Sequence, residues 1–308
     1  MLAIKTISPK SVVFRRSVRL MGSQFEISVV GDNHSWAEDC FEAAIAEISR
    51  VEKLLSAFGE DSCINQINRN AGVEPIKANA EIFRLIDRSL QISALTHGAF
   101  DITYYTGGDG DTETSGVTVK TAINANYENV VIDPKTQTVF LKEAGMRISF
   151  AANSKGYAAD RAKYILQLAG VNSGVINAGG DLLTWGLQPD DEPWTIATAD
   201  PSQENEPFAG VAISNMAVAT SVNTESIAFV IDKKLLGTFA PKKGFPISKI
   251  KSVSIVSTTA ELASAMASPV LSMGINAGLY LINQLNQVAA VIIDDHDRVY
   301  SSKNISIN

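Results

Sequence analysis

Cysteine and histidine are scarce: two cysteines, Cys40 and Cys63, and three histidines, His34, His97 and His296, stand in 308 residues. Two thiols cannot build a disulfide scaffold or a cysteine-based metal cluster, so both read as small buried hydrophobes. The histidines are scattered without metal-ligand spacing and read as satisfied or solvent-exposed side chains. No Gly-x-Ser-x-Gly elbow and no Cys/His pairing supports covalent hydrolase chemistry. Positive charge is also short, with 26 Lys+Arg against 33 Asp+Glu and a net charge of −7. That balance argues against broad attraction to nucleic acid or an anionic membrane, while leaving room for a local nucleotide site. No apolar run approaches the roughly 20 residues that span a bilayer. The opening "MLAIKTISPKSVVFRRSVRL" mixes charge too closely for the apolar core of a secretion signal, which needs roughly 7–15 residues. As written, the chain is expected in the cytoplasm, or exported if a signal segment has been removed.

What is present is a 45% hydrophobic composition, enough to core one large domain or two. "VVFRRSVRLMGSQFEISVV" reads as two strands joined near Met21-Gly22. An amphipathic helix follows in "SWAEDCFEAAIAEISRVEKLLSAF", with Ser35 as the expected N-cap. "DSCINQINR" reads as a short helix, and "NAEIFRLIDRSLQISALTHG" as a longer one that Gly98 could close. "TGGDGDTETSG" reads as an exposed loop, then "NVVID", "TVFL" and "MRISF" as strands, with Asp133-Pro134 turning the first into the second. "SKGYAADRAKYILQLAG" is a helix ending at Gly170. The second half is mostly strands, "SGVINA", "LLTWG", "WTIAT", "GVAISNMAVAT", "IAFVI" and "SVSIVS". Helices in "TAELASAMASPVLSMG" and "INAGLYLINQL" precede a final hairpin, "VAAVIIDDHDRVY". Strand runs mixed with helix runs, without regular βαβ alternation, predict an α+β fold.

Three places carry soft hints of an anionic ligand. In "GVINAGGDLLTWG" two glycines interrupt a strand pattern, which marks a bulge or a close approach to the backbone, and Asp181 follows them. "SKGYAADRA" puts Lys155 and Gly156 in the first turn of a helix, where free N–H groups and a lysine make either a phosphate site or an ordinary exposed lysine. "THGAFDIT" flanks Asp101 with Phe100 and Ile102, as a half-buried ligand group or a strand-edge acid.

Taken in chain order, "MGS", "LLSAFGEDSCINQIN", "THGAFDIT", "SKGYAADRA", "NAGGDL", "AVAT" and "KSVSIVSTTAELASAMASPVLSMG" resemble the ApbE family of FAD:protein FMN transferases. The resemblance runs from about residue 17 to the C-terminus and implies one ApbE-like, T-fold-like domain over residues 1–308, with mixed sheets, flanking helices and FAD in a cleft between two halves. It also implies Mg²⁺-dependent transfer of FMN from FAD to a threonine of a target flavoprotein, releasing AMP. By position, the resemblance places Met21 at the flavin and Ala57 and Phe58 in the nucleotide pocket. It places Asp101 at the adenosine and Lys155 at the diphosphate. Gly179 and Gly180 would wall the cleft, and Asp181 would bind backbone or cofactor rather than act as the base. Lys155 and Asp181 are thus the expected catalytic positions, and the Ala152 carbonyl and Ser268 the expected metal ligands.

The chain departs from the family pattern where that chemistry should lie. In "AELASAMASPVLSMG" the family's Asp and Thr metal ligands fall at Ser264 and Ser268, so the charged ligand of a hard cation is missing. In "GTFAPKKGFP" the family's histidine position falls at Gly237 and its acid or amide position at Ala240. Ala151, Asn153 and Ser154 occupy a loop that is normally richer in glycine, and Val222 stands at a glycine position. These departures admit a second expectation, a family member that binds FAD, a nucleotide or a protein partner without turnover. "SGVT" at 115–118 is similar to the Ser/Thr-Gly-Ala-Thr acceptor sequence of target flavoproteins, which raises self-modification at Thr118 beside a plain flexible loop.

Overall fold

The computed structural model describes residues 11–57, 59, 62–105, 126–199, 207–222 and 250–305. Phe58, Thr118, Gly237 and Ala240 lie outside these residues. In chain order the elements are β1 (Val12–Leu20), β2 (Ser23–Gly31), α1 (His34–Leu55), α2 (Cys63–Arg69), β3 (Ile76–Lys77), α3 (Ala80–Leu95) and β4 (Thr103–Tyr105). They continue with β5 (Val130–Asp133), β6 (Thr138–Leu141), β7 (Met146–Ile148), α4 (Ser154–Leu168), β8 (Gly174–Ala178), β9 (Asp181–Trp185), β10 (Trp194–Ala199) and β11 (Pro207–Ile213). The last are β12 (Ala217–Val222), β13 (Ile250–Ser257), α5 (Ala260–Met273), α6 (Ile275–Ile282), β14 (Val288–Asp294) and β15 (Val299–Ser301). The architecture is mixed α+β, as expected.

Eight strands form the main sheet in the order β1-β2-β8-β9-β12-β13-β14-β15, every neighbouring pair antiparallel. Alternation decides which face each residue takes. On β2, Phe25, Ile27 and Val29 are fully buried under the helices, and on β13 Val253 and Ile255 do the same. Helices α1, α4, α5 and α6 cover that face. On the other face Val218, Val256 and Ala289 make a smaller cluster with Leu182, Met216 and Ile305. All seven residues of β14 are therefore buried, the pattern of a strand covered on both sides.

Local chemistry fixes the helix ends. Asn33, not Ser35, caps α1, because its side chain accepts from Trp36 N–H at 3.1 Å. Ser62 caps α2 and Asn79 caps α3 in the same way. Gly98 closes α3 as expected, in the left-handed region at φ +79°, with its N–H on Ser93 O at 2.8 Å. "GVAISNMAVAT" is two strands, β11 and β12, instead of one, broken where Asn215 takes φ +59°.

Helices α1 and α4 run antiparallel: Trp36 Nε1 donates to Ala169 O at 3.3 Å near one end, and Arg161 Nε to Glu47 at 2.8 Å further along. Between α4 and α5 the contact is closer. Asp160 of α4 caps α5, accepting from Ala260 N–H and Glu261 N–H at 2.9 Å each. Burial is the largest influence on this carboxyl and pushes it up to about 6, against the two N–H bonds. The folded state therefore holds this proton more tightly than the unfolded chain. The group's contribution to stability is present below an ordinary carboxylate pKa of about 4 and is lost as pH rises through about 6. Thermal melts of wild type and Asp160→Asn between those limits should show the wild type losing stability relative to the variant as pH rises; a constant gap would refute the assignment.

Candidate functional site

The two glycines of "NAGGDL" form the two-residue turn of the β8–β9 hairpin rather than a bulge. Ala178 pairs with Asp181 across it, and Gly179 and Gly180 take φ +69° and +108°. Asn177 closes the turn by accepting from Gly180 N–H at 2.8 Å. The neighbouring β1–β2 hairpin turns the same way, with Met21 at φ +51° and Gly22 at φ +71° between Leu20 and Ser23. Since β2 pairs with β8, both turns lie at one end of the sheet, and Gly179 N–H donates to Gln24 O at 3.0 Å. A side chain at Gly179 would meet Ser23 Cβ at 2.9 Å and Lys155 Nζ at 3.4 Å. The lysine ammonium therefore lies directly over the glycine turn.

Lys155 gets there because α4 starts at this end of the sheet. Its first turn follows the loop 149–153, where Ser154 N–H and Asn153 N–H return to Phe150 O at 2.8 and 3.2 Å. Asn153 sits at the N-cap position without capping. Its side chain is fully buried, donating to Ser89 Oγ at 3.4 Å, and its Oδ1 has no partner. Gly156 brings α4 onto α5: a Cβ there would stand 2.7 Å from Ser264 Oγ and 2.6 Å from the Ala260 carbonyl carbon. Ser264 Oγ in turn donates to Asp181 Oδ2 in a short hydrogen bond. Burial raises the Asp181 carboxyl, while the Ser264 bond and the charge of Lys155 pull it down. One helical turn further along α5, Ser268 pairs its hydroxyl with Ser221 of β12 at 3.2 Å.

Six positions picked from the sequence thus come together: Lys155, Gly179, Gly180, Asp181 and Ser268, with Met21 on the adjoining turn. Asp181 holds a serine side chain, where backbone or cofactor was expected. Ala57 follows the C-terminus of α1 and packs on the core, at the Lys155 end of the antiparallel α1–α4 pair. Ala152 is exposed in the loop before α4. Asp101 lies beside that loop, since Ser149 N–H donates to Ile102 O at 2.8 Å. Its oxygens each accept a backbone N–H, from Thr103 at 2.8 Å and Tyr127 at 2.9 Å, so its carboxylate ties loop to loop. Burial raises its carboxyl.

Sequence reasoning missed Ser23 and Ser221, whose placement depends on strand pairing, and Asn153 as a buried polar group. It also missed the scaffold behind Lys155. Tyr157 OH donates to Glu81 at 2.6 Å, Arg50 bridges Glu47 and Glu81, and Arg88 makes a bidentate pair with buried Glu261. The only available signal was acid and arginine recurring at helical spacing.

As a donor set for a divalent cation, this cluster is poor. Mg²⁺ binds through one or two carboxylates together with ligand phosphates in a tight octahedral shell. Here the hydrogen bonds of the α5 face reach, among the described residues, one carboxylate whose Oδ2 already accepts from Ser264, and neutral hydroxyls that pair with each other. For an anion the cluster is better furnished, with a lysine, a helix N-terminus and a glycine turn.

Most of the chain is similar to known proteins. The ApbE family model matches residues 21–292. A FAD:protein FMN transferase of Klebsiella pneumoniae (strain 342) is 26% identical over 302 residues, covering 94% of this chain and 92% of that protein. One of Treponema pallidum (strain Nichols) is 24% identical, covering 86% and 79%. Among solved structures, the ApbE protein of Thermotoga maritima superposes with a TM-score of 0.76 at 24% identity, covering 95% of this chain and 98% of that one. The apo flavinyl transferase ApbE of Pseudomonas stutzeri gives 0.73 at 24%, covering 96% of each. Those two share the fold.

Replacing Gly156 by Ala should force α4 and α5 apart. The expected cost is about 1–3 kcal/mol, read as a lower denaturant midpoint at unchanged slope. An unchanged midpoint would mean the helices are not held this closely.

Proposed function

This chain belongs to the ApbE family, and on that premise we propose that it binds FAD at the Lys155–Gly179 end of the sheet and transfers the FMN half to a threonine of a protein acceptor. In that reaction the threonine oxygen forms a bond to the flavin-side phosphorus. The hydroxyl proton passes to water, the anhydride bond to the adenylate breaks and AMP leaves with the electron pair. The observation that carries the reading is the ammonium of Lys155 poised over a turn of two glycines at the head of α4. Glycine backbone lets a diphosphate approach closely, and a cation with a helix N-terminus neutralises charge that builds on it. Met21 would border the flavin from the adjoining turn, and Ala57 the nucleotide. Asp101 would shape the adenosine end through the loops it ties. The acceptor would carry a Ser/Thr-Gly-Ala-Thr type of sequence.

Magnesium, which the resemblance implies, is a poor match to the described residues of this site. The same observation favours a second reading: a protein that holds FAD without turnover, its α5 hydroxyls spent on Asp181 and Ser221. Among the described residues no helix is long and apolar enough to cross a membrane.

Incubation of the purified chain with FAD and a peptide bearing that acceptor sequence should release AMP in step with the appearance of a flavin-phosphate adduct in the peptide's intact mass. Lys155→Ala should slow both by about 10²-fold or more, with Lys155→Arg recovering part of the loss. FAD bound without AMP would establish the second reading, and no FAD binding at all would remove both.

A further inference from the structure

The serine face of α5 raises a question that the transfer chemistry leaves open: what neutralises the diphosphate. Ser264 and Ser268 are one helical turn apart and point at the same end of the sheet, toward Asp181 and Ser221. A divalent ion placed among them would find, among the described residues of this face, a single carboxylate, and it would compete with the Ser264 proton for Asp181 Oδ2. It would also have to sit close to Lys155, whose ammonium already occupies the space over Gly179. Like charges at such separations repel strongly where burial limits screening. The close contact of Gly156 with Ser264 leaves no slack on the α4 side, since an added methyl there would lie within 2.7 Å of the hydroxyl.

We infer that this site takes the diphosphate of its ligand on Lys155 without a bridging divalent ion, and that Ser264, by engaging Asp181, is the residue that closes the cation position. The inference deepens the reading of the cleft as a FAD site and rests on it. Its chemistry is a trade of a removable metal charge for a fixed ammonium, so binding should depend on ionic strength and not on divalent ions.

Two measurements on the 308-residue chain test it, and the first needs no flavin. Mn²⁺ titrated alone and followed by electron paramagnetic resonance should show little bound metal in wild type. Ser264→Asp, which places a second carboxylate beside Asp181, should bind at least about tenfold more tightly. Ser268→Asp, at an exposed position, serves the same comparison should the half-buried Ser264 variant fail to fold. Any Mn²⁺ held at the exposed Asp295–His296 turn would be common to all variants and would cancel. The second measurement is FAD affinity by fluorescence, which should be the same within about twofold in millimolar Mg²⁺ and in EDTA.

Saturable Mn²⁺ binding by wild type that Asp181→Asn abolishes would overturn the inference. So would a rise of about tenfold in FAD affinity on adding Mg²⁺, or folded aspartate variants with no gain in Mn²⁺ affinity. Failure of FAD to bind in either buffer would instead count against the proposed function, while the Mn²⁺ comparison still decides the cation question.

Discussion

The meeting of two helix starts at Gly156 is the contact from which the rest of this site follows. A glycine inside a helix costs about 1 kcal/mol relative to alanine, so its presence in the first turn of α4 needs a compensating gain. That gain is the approach of α4 to the Ala260 carbonyl and Ser264, which no side chain would permit. Asp160, one turn on, completes the joint by capping α5 through two backbone N–H groups. With both helix starts fixed, Lys155 must lie over the β8–β9 turn and Ser264 must face Asp181.

Behind this joint stands a set of charges whose members are all matched. Glu47, Glu81 and Glu261 each accept from at least one arginine, and Tyr157 adds its hydroxyl to Glu81. Arg50 is the chief influence holding the Glu47 and Glu81 carboxyls low. Removing an arginine strands the buried Glu47 or Glu261 carboxylate away from water, which costs more than the pair contributes. Asp181 is a different case. Its acceptor is satisfied by a neutral hydroxyl, and its countercharge is a lysine that is not in contact with it. The first set is architecture; Asp181 stands where a ligand could alter the balance of charge.

Much of this was legible from residue order alone. Strand alternation in β2 and the glycine pair before Asp181 declared themselves, as did the helix that begins at "SKGYAADRA", because these depend on neighbours within a few positions. What escaped depends on pairing across long separations. Ser221 faces Ser268 only because β12 lies beside β13 beneath α5, and Ser23 abuts Gly179 only because β2 pairs with β8. Asn33 displaced Ser35 as the cap of α1 because its side chain could reach the N–H of Trp36. Asn153 is the plainest breach of local rules: a buried amide oxygen without a partner, in a loop whose position in the fold no single-sequence pattern reveals. The departures at Ser264 and Ser268 were visible beforehand, but that their hydroxyls are already engaged was not.

The bond from Tyr157 to Glu81 has a consequence for how quickly this site can change. It ties the first turn of α4 sideways to α3, while Gly156 ties it to α5 and Arg161 ties the middle of the helix to α1. A helix gripped on three sides cannot rotate or slide to admit a ligand. Rearrangement at Lys155 is therefore left to its own side-chain torsions, which hop on picosecond to nanosecond timescales rather than the microseconds of element motion. The ammonium can follow an arriving or departing anion almost instantly while the frame beneath it stays still.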